Sequence, residues 1–146
     1  MIEEFRGEYG FLSNFYPSPL EYDGVEYPTA EHAFQAAKTD VPVHKRQIAK
    51  AKSAVVAKHL GKMVTLRPGW EEVRDEVMLE VLRCKFRDNA ELADRLVATG
   101  KERLVEGNKW DDTYWGMSGG VGENKLGKLL MRVRKEIIKE RRKEGD

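Results

Sequence analysis

Among the residues of types that make or break bonds at carbon, two occupy informative helical positions: Glu31 and Lys85. Lys85 closes the periodic stretch from Trp70 to Arg87. On a wheel at about 100° per residue, Glu72, Glu76, Glu80, Arg83 and Arg87 share one narrow polar arc. Trp70, Val73, Val77, Val81 and Cys84 lie opposite, widened by Met78, Leu82 and Phe86, and Lys85 falls inside that apolar side. Two consequences stay open. A lysine there can snorkel along the rim of the core with its ammonium in water. It can also be shut in a pocket, where lost hydration releases a neutral amine that attacks carbonyl-like carbon. Glu31 belongs to the run Thr29-Ala30-Glu31-His32-Ala33-Phe34-Gln35-Ala36-Ala37-Lys38, where Glu31, Gln35 and Lys38 line one edge beside Phe34. A first-turn carboxylate is favoured by the helix dipole alone, and a general acid or base would use the same residue type.

A second set of chemical groups lies in Trp110-Asp111-Asp112-Thr113-Tyr114-Trp115-Gly116. Tryptophan in a glycine-rich loop can stack on a planar ring, and Asp112 can accept hydrogen bonds from sugar hydroxyls. The bland alternative is a loop whose aromatics tuck onto the core. Gly119-Gly120-Val121-Gly122 runs toward a helix start near Asn124, a geometry that can hold phosphate, but it lacks the lysine and hydroxyl spacing of a Walker loop. His32, His44 and His59 are dispersed and Cys84 is the single cysteine, so no disulfide and no metal site are expected. Lys135, Lys139, Arg141, Arg142 and Lys143 outweigh the acids near the C-terminus, as a solvated helix end or as a nucleic-acid contact.

The elements that must position these groups follow from the same patterning. Leu20-Glu21-Tyr22 and Val25-Glu26-Tyr27 flank Asp23-Gly24, which predicts a tight hairpin. Thr29 predicts an N-cap for a helix to about Lys38; further helices are expected at 44–51, 53–61, 70–87, 91–97 and 124–143. Leu104-Val105-Glu106 reads as a short strand, and the stretch from Asn108 to Gly122, with four glycines, reads as a loop of functional length. The expected fold class is α+β, mainly helical, with a small N-terminal β element, in a single domain over residues 1–146. With 26 Lys plus Arg against 25 Asp plus Glu, bulk charge does not drive the chain onto nucleic acid or membrane. No apolar run is long enough to span a bilayer and no cationic signal segment leads the chain, so a cytoplasmic protein is expected.

Five blocks, in order, resemble the YbiA-like, or NADAR, family. They are Gly10-Phe11-Leu12-Ser13-Asn14-Phe15, Tyr27 to Ala36, Lys85-Phe86, Asp112-Thr113-Tyr114-Trp115-Gly116 and Asn124 to Met131. The resemblance implies an N-glycosidase acting without a metal or other cofactor on ribosylated nitrogen compounds. One branch is associated with phosphoribosylated pyrimidine intermediates of riboflavin synthesis. Another is associated with removing ADP-ribose from guanine in DNA or RNA, a repair or antitoxin role paired with an ADP-ribosylating toxin. It implies Lys85, Glu31 and Asp112 as catalytic residues. Ser13, Asn14, Phe15, Gln35, Tyr114, Trp115, Gly116 and Asn124 would contact substrate, while Gly119 and Gly120, outside the matched blocks, are expected from the glycine loop itself to approach phosphate with their backbone amides. A non-catalytic ADP-ribose or NAD-like reader would have no need of Glu31 and Lys85 together.

Overall fold

The computed structural model describes residues 1–145. The chain divides into two compact units, one made of Asn14–Asn89 and the other of Met1–Ser13 with the residues from Ala90 onward.

In the Asn14–Asn89 unit the hairpin forms as its turn chemistry requires. Strands β1 (Leu20–Tyr22) and β2 (Val25–Tyr27) pair antiparallel with Leu20 opposite Tyr27, both buried. Asp23 and Gly24 take φ of 52° and 79°, the double left-handed conformation of a type I′ turn. Helix α1 (Ala30–Ala36) follows and is buried on every side. Thr29 caps it: its Oγ1 accepts the His32 N–H at 3.1 Å and lies 2.7 Å from His32 Nδ1. His32 Nε2 is 3.0 Å from the Ala51 carbonyl, which can only accept, so Nε2 carries the proton and Nδ1 accepts from the Thr29 hydroxyl. His32 is thus a structural pin. The other end of α1 is met by cations, Lys45 Nζ donating to Ala36 O at 3.1 Å and Arg67 Nη1 to Ala37 O at 3.4 Å.

Helices α2 (Pro42–Ala49), α3 (Ala54–Gly61) and α4 (Trp70–Asp88) pack around α1. Helix α2 starts two residues before the expected His44, because Pro42 is pre-set for the first helical position. Ser53 caps α3 through the Val56 N–H, and Gly69, at φ 75°, turns the chain into α4. The end of α4 is tied to β1. Asn89 Nδ2 donates to both Pro19 O and Lys85 O, Asp88 accepts the Glu21 N–H at 2.8 Å, and Arg87 reaches Glu21 O at 2.9 Å.

In the other unit Gly7–Leu12 form a 3-10 helix, α5 spans Ala90–Ala98 and α6 spans Lys125–Gly145. Helix α6 buries Leu126, Leu130 and Val133 along its apolar stripe. The strand expected at Leu104–Glu106 reduces to a parallel bridge between Ile2 and Leu104. Pairing moves onward to β3 (Gly107–Asn108), which lies parallel to β4 (Met117–Ser118) inside the stretch expected to be all loop. The reason is non-local: the partner of each strand is distant in sequence, and two residues carry no alternation to read.

Asn124 locks this unit together. It sits at φ 51°, its Nδ2 donates to Leu104 O at 2.9 Å and its Oδ1 accepts the Glu106 N–H at 3.0 Å. Gly127 is bare because a Cβ there would strike Leu104 O. Asn124→Ala strands two buried backbone groups and loses a residue tolerant of positive φ. The expected cost is about 3 kcal/mol, to be read as a lowered urea midpoint at unchanged slope.

Candidate active site

Helix α1 presents the carboxylate and α4 the amine, and the two helices pack directly on each other. Glu31 is 7 % exposed. Its main-chain N–H donates to Asn14 O at 3.0 Å, and its Oε2 accepts from Gln35 Nε2 at 2.8 Å, one turn along the same edge. Lys85 is 0 % exposed and among the largest fully buried side chains of the chain. Of the two fates open to it in sequence, snorkelling is excluded. Its Nζ lies 5.3 Å from the centroid of the Phe86 ring.

Asn14 joins the two helices. While its carbonyl holds the Glu31 N–H, its Nδ2 reaches Met78 Sδ at 3.4 Å. Met78 is seven residues before Lys85, so both lie on one stripe of α4. Asn14 is itself 7 % exposed and its Oδ1 is buried without a hydrogen-bond partner. Phe34 meets Trp70 at the other end of the same helix pair, ring centroids 5.3 Å apart. Phe15, beside Asn14, is 39 % exposed, with Lys58 Nζ 6.0 Å from its ring centroid.

Gln35 owes its position to a glycine. Its Oε1 is buried with no hydrogen-bond partner and packs on Gly61 of α3, where any Cβ would overlap the Gln35 amide. Gly61→Ala therefore displaces the amide that holds Glu31. The expected result is a loss of about 1–3 kcal/mol in stability and a fall of about 10- to 100-fold in turnover from the misplaced carboxylate. Adding Gln35→Ala should restore the melting temperature but not the rate, which separates the clash from the lost hydrogen bond.

The loop between β3 and β4 carries the remaining candidates. Asn108 organises it, its Oδ1 accepting the N–H groups of Trp110 and Asp112 and its Nδ2 donating to Asp112 O. Asp112 then uses one carboxylate oxygen, Oδ1, to accept the Tyr114 and Trp115 N–H groups at 3.1 and 3.0 Å, which leaves Oδ2 for a hydroxyl. Tyr114 and Trp115 stack edge to face at 4.8 Å, and Lys125 Nζ is 4.8 Å from the Tyr114 centroid. Gly116 is buried against Glu106 O, where a side chain has no room. Asn124 belongs to this group by sequence, but both ends of its amide are occupied by main chain.

The glycine run does not lead straight into α6. Ser118 and Val121 exchange both main-chain hydrogen bonds across Gly119 and Gly120, at φ 62° and 79°, so the pair forms a second type I′ turn. Its tip lies on a cavity of about 690 Å³ lined also by Arg103, Gly107, Asn108 and Lys109. Ser13 ends the 3-10 helix, its N–H donating to Gly10 O. No group of three or more His, Cys, Asp or Glu able to hold a metal occurs among the described residues, and none of their helices is long and apolar enough to cross a membrane. Sequence reasoning missed Asn108 and Gly61. An asparagine opening a loop rich in Asp and aromatics was the available signal for the first; nothing local marks the second.

Residues 3–138 match the NADAR domain model. The chain is 41% identical over 137 residues to "N-glycosidase YbiA" of Escherichia coli, covering 92% of this chain and 85% of that protein. It is 36% identical to "N-glycosidase Npun_R5314" of Nostoc punctiforme, covering 88% and 86%. A "Riboflavin biosynthesis protein VVA0006" of Vibrio vulnificus is 39% identical over 88% of this chain but only 36% of its own length. The NMR structure of the E. coli protein YbiA superposes with a TM-score of 0.84 at 39% identity, covering 97% of this chain and 89% of that one. With buried Glu31 and Lys85 on packed helices and this match across both units, the chain belongs to the NADAR family.

Proposed function

We propose that this chain is an N-glycosidase that removes ADP-ribose from guanine bases in nucleic acid. That it is a hydrolase of N-glycosyl bonds rests on the family match and on the relatives named N-glycosidase. The observation that carries the chemistry is the complete burial of Lys85 on the helix packed against that of Glu31. An N-riboside opens its sugar ring to an imine at C1′. The Lys85 amine adds to that carbon, the base departs with its nitrogen protonated, and a Lys85 imine of the sugar is left. Water adds to that imine, and collapse releases the open-chain aldehyde of ADP-ribose, which recloses to its ring, and regenerates the amine. Glu31 moves the protons, first to the ring oxygen or leaving nitrogen and then from water. Gln35 holds Glu31 in place. The family resemblance assigns Asp112 to sugar hydroxyls and Trp115 and Tyr114 to ring stacking.

The nucleic-acid substrate is supported by the exposed cations of α6, Lys135, Lys139, Arg142 and Lys143, which can follow a phosphate backbone. A second substrate, the phosphoribosylated pyrimidine of riboflavin synthesis, is favoured by the relative with that pathway in its name. Parallel incubations with ADP-ribosylated guanine oligonucleotide and with the phosphoribosylated pyrimidine decide between them. Release of unmodified guanine strand, slowed steeply by salt, is expected. Cleavage of the pyrimidine alone would reassign the substrate. Binding of ADP-ribose conjugates with no base released would make the protein a reader.

A further inference from the structure

We infer that Lys38, Lys58 and Lys62 form a phosphate-binding edge beside Glu31, taking the phosphoryl groups carried by the ribosyl part of the substrate. This rests on the glycosidase assignment of Glu31. The geometry comes from the packing of α1 on α3. Glu31, Gln35 and Lys38 lie at spacings of four and three along one edge of α1 and the turn that follows it. Gly61, pressed against Gln35, sets α3 alongside that edge. Lys58 and Lys62 are three residues before and one after Gly61 on α3 and its cap.

The position of Lys58 is fixed independently by its approach to the Phe15 ring, and Phe15 follows Asn14, the residue that holds the Glu31 N–H. The packing of α1 on α3 therefore puts three lysines on the edge that carries the buried carboxylate. Among the described residues none of the three has an ion-pair or side-chain hydrogen-bond partner. The strain of the arrangement is visible on Lys38. Burial lowers its ammonium pKa; Glu31 opposes that, and Lys58 and Lys62 add to it. Unpaired cations held together at a cost are relieved by a di- or monoanionic ligand, and an N-riboside of a nucleotide brings one to within a sugar's length of the reacting carbon.

The test uses the full chain and inorganic pyrophosphate, with inorganic phosphate in parallel, by calorimetry and by the NMR signals of the lysine ammonium groups. Lys62 is exposed and Lys58 half-buried, and glutamine keeps most of the stem of each, so K58Q/K62Q should fold. Pyrophosphate is expected to move the Lys38, Lys58 and Lys62 signals, and K58Q/K62Q to weaken its binding about tenfold or more. KM for the phosphorylated N-riboside should rise by a similar factor while kcat stays within about twofold. K101Q/K128Q, which removes the same charge elsewhere, should change neither. A preference for pyrophosphate over phosphate assigns the edge to a diphosphate, and equal binding assigns it to a single phosphoryl group. Equal pyrophosphate binding by K58Q/K62Q overturns the inference, as does loss of binding only to an unmodified oligonucleotide. Failure to cleave any N-riboside would remove the proposed function while leaving the pyrophosphate result standing.

Discussion

Lys85→Met is expected to leave a folded chain without turnover. Methionine keeps an unbranched apolar stem of similar volume in the buried site; loss of the ammonium from its buried surroundings costs about 3–5 kcal/mol, read as a lowered urea midpoint of a still cooperative transition. What disappears is the amine proposed to bond C1′. If the reaction runs through an imine, kcat falls about 10³-fold or more, and Lys85→Arg falls with it because a guanidinium does not form the imine. Borohydride added during turnover should reduce the wild-type intermediate to a stable amine and leave one adduct of the substrate's sugar portion, ADP-ribosyl for the proposed substrate, on the peptide bearing Lys85. No adduct, together with an active Lys85→Arg, would instead assign the step to water activated by Glu31 against an oxocarbenium-like carbon.

Glu31→Gln tests the other half of the pair. The glutamine carbonyl oxygen can accept the same Gln35 amide, and the hydrogen bond to Asn14 comes from the main chain of residue 31. The fold should therefore be retained, with an unchanged denaturation midpoint. Turnover should drop about 10²- to 10⁴-fold, the range a positioned acid or base supplies. A near-normal rate would take Glu31 out of the mechanism.

Local rules read the helices and the hairpin well. Asp-Gly specified its turn, Thr29 and Ser53 their caps, and the period of α4 put Lys85 on the inner face, where the structure buries it. What escaped was set by partners far away in sequence. The β3–β4 pair depends on two residues each, below the length at which alternation can be seen. Gly61 has meaning only through Gln35, twenty-six positions earlier, and Asn108 only through the main chain it gathers. In sequence the glycine run at 119–122 points toward the following helix, whereas two consecutive positive φ values fold it back on itself. Its composition admits both, and the Ser118–Val121 pairing selects one.

Helix α1 is enclosed on all sides, its first turn is pinned through His32 and its last carbonyls are held by Lys45 and Arg67. Glu31, which it carries, is thereby anchored at its main chain and at one carboxylate oxygen before any ligand arrives. Under the proposed function, selectivity would come from immobility, because a sugar delivered out of line meets a carboxylate whose backbone does not shift toward it.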